Sequence, residues 1–178
     1  MKTRVLCLLV NGFEEIEAVT PIDLLRRADV EVITAALGEK WITGRSGIRI
    51  EADTFLNDVT IEDFDLLLLP GGPAVQEMRR DCRVVELAQR FHEEGKTLAA
   101  ICAAPLVLHD AGLLTGRKFT AHSSTRDELP TAEDARLVVD GKLITSRGAG
   151  TALEFGLALV AHLLGDEAAR KVSSAIMA

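Results

Sequence analysis

Cys102 stands between an apolar run, Thr97-Leu98-Ala99-Ala100-Ile101, and a helix-forming stretch, Ala103-Ala104-Pro105-Leu106-Val107-Leu108. A buried strand that turns sharply into a helix lifts one side chain above the sheet edge and sets backbone N–H groups beside it. A thiol placed there is a candidate nucleophile, because helix N-termini lower cysteine pKa values and the thiolate is the reactive form. The same pattern also suits a small buried hydrophobe at a strand end, the usual condition of a free cysteine. Glu17 lies in the acid-rich segment Asn11 to Glu17. Solvated, it is an ordinary acid favoured by the start of a helix. Turned inward beside an incipient anion, it would stay protonated, donate a hydrogen bond to the thiolate and serve as general acid and base. Gly71-Gly72 permits close backbone approach and could supply one N–H, with Ala103 supplying another, to an oxyanion hole; alone, Gly-Gly is also an ordinary tight turn. His122 reads either as a proton shuttle or as a hydrogen-bonded structural residue.

Apolar runs of strand length alternate with stretches of helical period, the pattern of βαβ units on a mostly parallel sheet. Val5 to Val10 is almost wholly Val and Leu, so helices should cover both its faces. Glu14 to Ala28 is predicted as a helix with Ile16, Val19, Leu24 and Leu25 turned inward and an irregularity at Pro21. Val30 to Ala36 is the second strand, and Trp41 to Glu51, broken by Gly44 and Gly47, is a β-hairpin outside the main sheet. Asp65 to Leu69, a helix from Val84 to Glu94, and Thr97 to Ile101 follow. Lys118 to Ala121 and Arg136 to Val139 read as short strands, Asp140-Gly141 as a tight turn, and Lys142 to Thr145 as the return strand. The last helix runs through Leu164. With no repeat or linker, residues 1–178 read as a single doubly wound α/β domain, in which ligands sit at the carboxyl ends of the strands. The segments after the first, third, fourth and fifth strands should therefore converge.

Bulk properties narrow the partners. A chain of 178 residues with 48% hydrophobic content can bury a large core without staples. A net charge of −7 argues against a nucleic-acid groove or an anionic membrane surface, leaving small molecules or other proteins. The longest apolar run, Leu98 to Leu108, is too short to span a bilayer and contains Pro105. Cys7, Cys82 and Cys102 are an odd set without paired spacing, which suits single thiols in a reducing compartment, so a cytoplasmic location is expected. Cys7 reads as core and Cys82 as a partly exposed residue at a helix edge. The four histidines show no metal-ligand spacing, and no metal or cofactor is expected.

Four ordered motifs carry a resemblance. Asn11-Gly12-Phe13-Glu14-Glu15-Ile16-Glu17, Leu69-Pro70-Gly71-Gly72, Ala99 to Pro105 around Cys102, and Thr145-Ser146-Arg147-Gly148-Ala149-Gly150-Thr151 resemble the signatures of the ThiJ/PfpI superfamily. The branch is that of the Parkinson's-disease protein and its bacterial protein-deglycase relatives. The resemblance implies a flavodoxin-like sandwich, a homodimer, and an elbow cysteine partnered by a protonated glutamate. By motif position these are Cys102 and Glu17, with Gly72 and Ala103 as backbone donors, His122 as the nearby histidine, Gly71 in the substrate pocket, and Arg27 and Arg147 as basic residues near dimer face and pocket. Ala103 replaces the histidine found after the cysteine in many peptidase members, so a Cys-His-acid protease triad is not expected. The implied activity is cofactor-independent chemistry on glyoxals or on glycated protein or nucleotide adducts. The alternative is an oxidative-stress sensor or chaperone-like protective protein in which Cys102 oxidises to a sulfinate. Gly148-Ala149-Gly150 lacks the third glycine of a dinucleotide fingerprint and lies late in the chain.

Overall fold

The structure is a computed structural model that describes residues 2–178. In chain order the elements are β1 (Arg4–Leu9), α1 (Glu15–Arg27), β2 (Glu31–Ala36), β3 (Trp41–Thr43), β4 (Arg49–Glu51), β5 (Thr54–Phe55) and β6 (Leu66–Leu69). Then come α2 (Val75–Arg80), α3 (Cys82–Glu93), β7 (Thr97–Ile101), α4 (Pro105–Asp110), β8 (Leu137–Asp140), β9 (Leu143–Ser146), α5 (Ala152–Leu164) and α6 (Asp166–Ala175). Seven strands form one sheet in the order β5-β2-β1-β6-β7-β9-β8, while β3 and β4 form a separate antiparallel pair. All neighbours in the large sheet are parallel except β8 and β9, which meet head to tail across the Asp140-Gly141 turn. The doubly wound α/β fold and the small hairpin are thus as the alternation of apolar runs predicts.

Successive residues of β1 and β6 point to opposite faces, yet Leu6, Cys7, Leu8 and Leu9 and all of Leu66 to Leu69 are fully buried. Helices therefore cover both faces, as the unbroken apolar runs require. One helical group is α1 packed on α5, and α5 on α6; the other joins α2, α3 and α4. Gly156 lets α5 approach α1 closely, since an added Cβ would lie 2.6 Å from Leu24 Cδ1 and 3.0 Å from Pro21 Cα. The chain winds outward in both directions from β1, with β2 on one side and β6 on the other. That switch point opens a crevice at the carboxyl edge of the sheet.

Several expectations change. α1 runs unbroken through Pro21, whose missing N–H leaves only the Glu17 carbonyl without its helical partner. Its facing also differs: Ile16 and Val19 are 53% and 44% exposed, while Glu15 and Glu17 are buried. The first turn of α1 sits over the strand ends, where backbone N–H groups of loops await acceptors, so the carboxylates turn inward. Lys118 to Ala121 is not a sheet strand; Thr120 makes one isolated bridge to Glu133. Its N–H goes to the Thr145 hydroxyl at 2.9 Å and its own hydroxyl to the Glu133 and Ala135 carbonyls, which uses the ladder groups locally. β5, α2 and α6 were not predicted. β5 has two residues and α2 six, both too short for a period to show, and α6 starts only because Gly165, at φ +88°, turns the chain after α5.

Candidate active site

The elbow is built from β7 outward. Ile101 pairs with Ser146 at the edge of the parallel ladder, and the Cys102 N–H extends that ladder by donating to the Ser146 carbonyl at 2.8 Å. The Cys102 carbonyl accepts the His122 N–H at 2.8 Å. Pinned on both sides, Cys102 adopts φ +65°, a left-handed conformation that costs a non-glycine residue roughly 1–2 kcal/mol. Such strain at a half-buried thiol is the signature of a nucleophile elbow.

Glu17 comes to the same place from α1. It is 1% exposed, and its Oε2 accepts the Gly71 N–H at 3.0 Å. The Gly71 carbonyl in turn accepts the Glu14 N–H at 3.1 Å, so loop and helix start hold each other. Glu17 and Cys102 flank Gly71 tightly: a Cβ there would lie 2.5 Å from Glu17 Oε2 and 2.7 Å from Cys102 Cβ. Gly72, at φ +92°, has the same requirement for a different reason, since its Cβ would meet the Gly12 carbonyl at 2.6 Å and the Glu14 nitrogen at 2.7 Å.

Burial raises the Glu17 carboxyl to about 7, opposed by its hydrogen bond to Cys102 and reinforced by the charge of Glu14. The Cys102 thiol is pushed up to about 12, first by burial and then by the charge and hydrogen bonding of Glu17; the N–H groups of Gly72 and Ala103 pull the other way. The expectation that the following helix depresses this thiol is therefore corrected. α4 has only six residues, and the N–H groups of Gly72 and Ala103, which lie in the loops beside the sulfur, do not outweigh burial and an acid in contact. Each group opposes ionisation of the other, so the pair gives up its first proton near neutral pH and does not carry two negative charges there. That first proton leaves chiefly from Glu17, the more acidic of the two.

The remaining predicted residues divide. Gly72 and Ala103 direct their N–H groups at the sulfur, the place for oxyanion donors. Gly71 donates its N–H to Glu17 and so positions the acid. His122 is exposed; its Nδ1 is paired with the Ser124 hydroxyl at 2.8 Å, and its link to Cys102 runs through its backbone. Arg147 lines a cavity of about 460 Å³ together with His122. Arg27 is not brought to the site. It pairs with Asp23 at 2.7 Å, and ten residues of helix place it about 15 Å along α1 from Glu17. Cys7 is buried in the core and Cys82 is exposed.

Two contributors escaped the sequence. The Ser146 backbone pins the elbow, which only strand pairing reveals. Glu15, in the acid-rich segment, is buried; its Oε1 accepts the Ser46 N–H at 2.7 Å and ties the β3–β4 connection to α1. Gly44 was the available signal, because a side chain there would collide with that carboxylate.

The DJ-1/PfpI family pattern matches residues 3–162. The chain is 39% identical over 180 residues to the DJ-1 homolog B of Arabidopsis thaliana, a match that covers 98% of this chain and 41% of the plant protein. It thus spans about two fifths of that relative's length. It is 36% identical to the Deglycase PfpI of Pyrococcus furiosus, covering 83% of this chain and 91% of the archaeal protein. The crystal structure of Drosophila melanogaster DJ-1beta superposes with a TM-score of 0.94 at 35% identity, covering 99% of this chain and 98% of that one. The oxidized form of Toxoplasma gondii DJ-1 gives 0.93 at 33% identity, covering 98% of each chain. A family pattern across nine tenths of the sequence, and relatives above 30% identity of which the archaeal and fly proteins are covered over nine tenths or more, agree with the strand-to-helix cysteine and buried glutamate. The chain belongs to the DJ-1/PfpI family.

Proposed function

We propose that the protein is a cofactor-independent thiol enzyme acting on glyoxals or on the adducts they form with proteins or nucleotides. The observation that carries this reading is the Glu17 carboxyl, buried against Cys102 and poised near neutral pH beside two free N–H donors. A general base works best with a pKa near the working pH. Glu17 takes the S–H proton as sulfur bonds to the aldehyde carbon, and the Gly72 and Ala103 N–H groups hold the new alkoxide. Glu17 then returns that proton to the oxygen, giving a hemithioacetal. The carboxylate next removes the C–H proton of the same carbon, and an enediolate forms with its charge on the neighbouring oxygen. Glu17 delivers that proton to the neighbouring carbon while the hydroxyl proton of the sulfur-bearing carbon passes to the neighbouring oxygen, leaving a 2-hydroxyacyl thioester whose C–S bond water cleaves, restoring the thiol and releasing a hydroxy acid. The sum is dicarbonyl plus water to hydroxy acid, with no external oxidant or reductant. Family relatives named deglycases support extension to glycated substrates.

The second reading is a stress sensor or protective protein, favoured by one observation: Cys102 is only half-buried, so peroxide can reach its sulfur. Two equivalents of peroxide would take the thiol to a sulfinate, leaving two waters.

A homodimer in the cytoplasm is part of the proposal. Ile16 and Val19 on α1 and Ile48 beside the hairpin are exposed around Glu15, whose buried Oε2 has no donor among the described residues. A partner surface would cover the first three and supply the missing donor. Three free thiols fit a reducing compartment. No helix among the described residues is long and apolar enough to cross a membrane.

The decisive experiment is incubation with methylglyoxal in the absence of glutathione. Lactate should accumulate over many turnovers with the native chain and not with Cys102→Ser. Full activity in that variant would refute the thiol mechanism, and absence of turnover in both would move the function to the protective reading.

A further inference from the structure

The cavity that His122 shares with Arg147 has a chemistry of its own. It holds about 460 Å³ and opens between the loop after His122, the end of β9 and the start of α5. Three arginines line it, Arg126, Arg136 and Arg147, against one acidic residue, Asp134. Arg126 has no ion-pair partner among the described residues, and its Nη1 donates to the Ala132 carbonyl. Arg147 reaches only Asp134, at 3.7 Å, and that carboxylate is largely in solvent. Arg136 alone is well paired, through Nε to Glu154 at 2.8 Å, and its Nη2 turns back to the Gly150 carbonyl at 3.4 Å. Most of the N–H donors of three arginines are thus left for something else.

In a chain of net charge −7, a cavity with two loosely held cations is not explained by bulk composition. Guanidinium forks match the oxygens of phosphate and carboxylate and retain their charge at every working pH. The cavity volume falls within the range of small-molecule sites, and the Gly148-Ala149-Gly150 turn offers no dinucleotide fingerprint. The position is also telling, because His122 lines the cavity while its N–H holds the Cys102 carbonyl.

We propose that this cavity is an anion subsite, formed by Arg126, Arg136 and Arg147, that receives the phosphate-class group of the carbonyl compound whose aldehyde reacts at Cys102. The assignment of the anion to the reacting compound rests on the enzymatic reading above; the anion site itself does not. The preferred substrate is then a dicarbonyl bearing phosphate, not methylglyoxal itself.

Titration calorimetry of the full chain with inorganic phosphate tests the site without any turnover. Millimolar binding is expected, weakened at least about tenfold in Arg126→Gln/Arg136→Gln, the effect of losing one charge-assisted hydrogen bond or more. Arg126→Lys, which keeps the charge, should retain most of the binding and shows whether the loss in the double variant is local. No phosphate binding, or equal binding by the double variant, overturns the site. A second arm compares KM for 3-phosphooxy-2-oxopropanal with KM for methylglyoxal. A lower KM for the phosphorylated compound, abolished in the double variant, supports the substrate source; equal KM values with intact phosphate binding overturn that source and leave a site for the free anion. Absence of turnover on either compound with intact phosphate binding would sink the enzymatic reading and not the site.

Discussion

Replacing Gly71 by Ala tests how tightly the acid and the thiol are held. The backbone at Gly71 has no left-handed φ, so alanine meets no conformational penalty there and the effect must be steric. The added methyl would lie 2.5 Å from Glu17 Oε2, 2.7 Å from Cys102 Cβ and 2.9 Å from the Ile101 carbonyl. Ordinary contact distances exceed these by roughly 0.5–1 Å, and the last two atoms are backbone or adjacent to it, so Glu17 must move most. Overpacking of this kind costs about 1–3 kcal/mol. The move also stretches the 3.0 Å bond from the Gly71 N–H to a carboxylate, a contact of a kind worth about 1.5–3 kcal/mol. The two costs overlap, and a net loss of about 2–4 kcal/mol is expected from urea denaturation. Displacing a catalytic base by about 1 Å should lower kcat/KM about a hundredfold. Turnover measured well below the unfolding midpoint separates the effects. A variant with native stability and native kcat/KM would refute the geometry on which the proposed mechanism stands.

Other outcomes follow from the same site. With its pKa raised from 4.5 to about 7, Glu17 binds more protons in the folded chain than in the unfolded one between those pH values. Its contribution to stability is therefore intact below pH 4.5 and is lost as pH rises through 7, a change of about 3 kcal/mol. Glu17→Gln should match the native chain in denaturant melts at low pH and exceed it by up to that amount at pH 8, while losing turnover; a difference that does not grow with pH would contradict the buried acid. The thiol, held at about 12, stays protonated throughout this window and leaves it undisturbed. For the native chain, kcat/KM on methylglyoxal should climb as Glu17 loses its proton, with an apparent pKa near 7, and a flat profile from pH 5 to 9 would remove Glu17 as the base. Gly44→Ala should lower the melting temperature by displacing Glu15 from the hairpin, which thermal unfolding reads directly. Sedimentation should give a dimer at micromolar concentration, with Ile16→Glu shifting it to monomer; a native monomer would defeat the proposed interface.

What could be read from residue order alone was whatever depends on local pattern. The Val and Leu run of β1, the Leu run of β6 and the Ala-rich β7 announce strands covered on both faces, and the abrupt change at Cys102 announces an elbow. The four motifs also order the chain well enough to suggest Cys102 and Glu17 as partners. Tertiary structure decided everything that depends on which groups meet across the fold. Helical period favoured Ile16 and Val19 as core, yet the loop N–H groups over the strand ends drew Glu15 and Glu17 inward, because a buried donor without an acceptor costs more than an exposed isoleucine. The thiol's ionisation likewise reversed. A helix start is visible in sequence, but the burial and the adjacent carboxylate that outweigh it come from residues 85 positions apart. Arg27 left the site because distance along a helix is set by its rise, and Arg126, Arg136 and Arg147 became neighbours because β9 and the His122 loop fold against the start of α5. Short-range chemistry selects the elements; only their packing sets which charges face one another and at what dielectric cost.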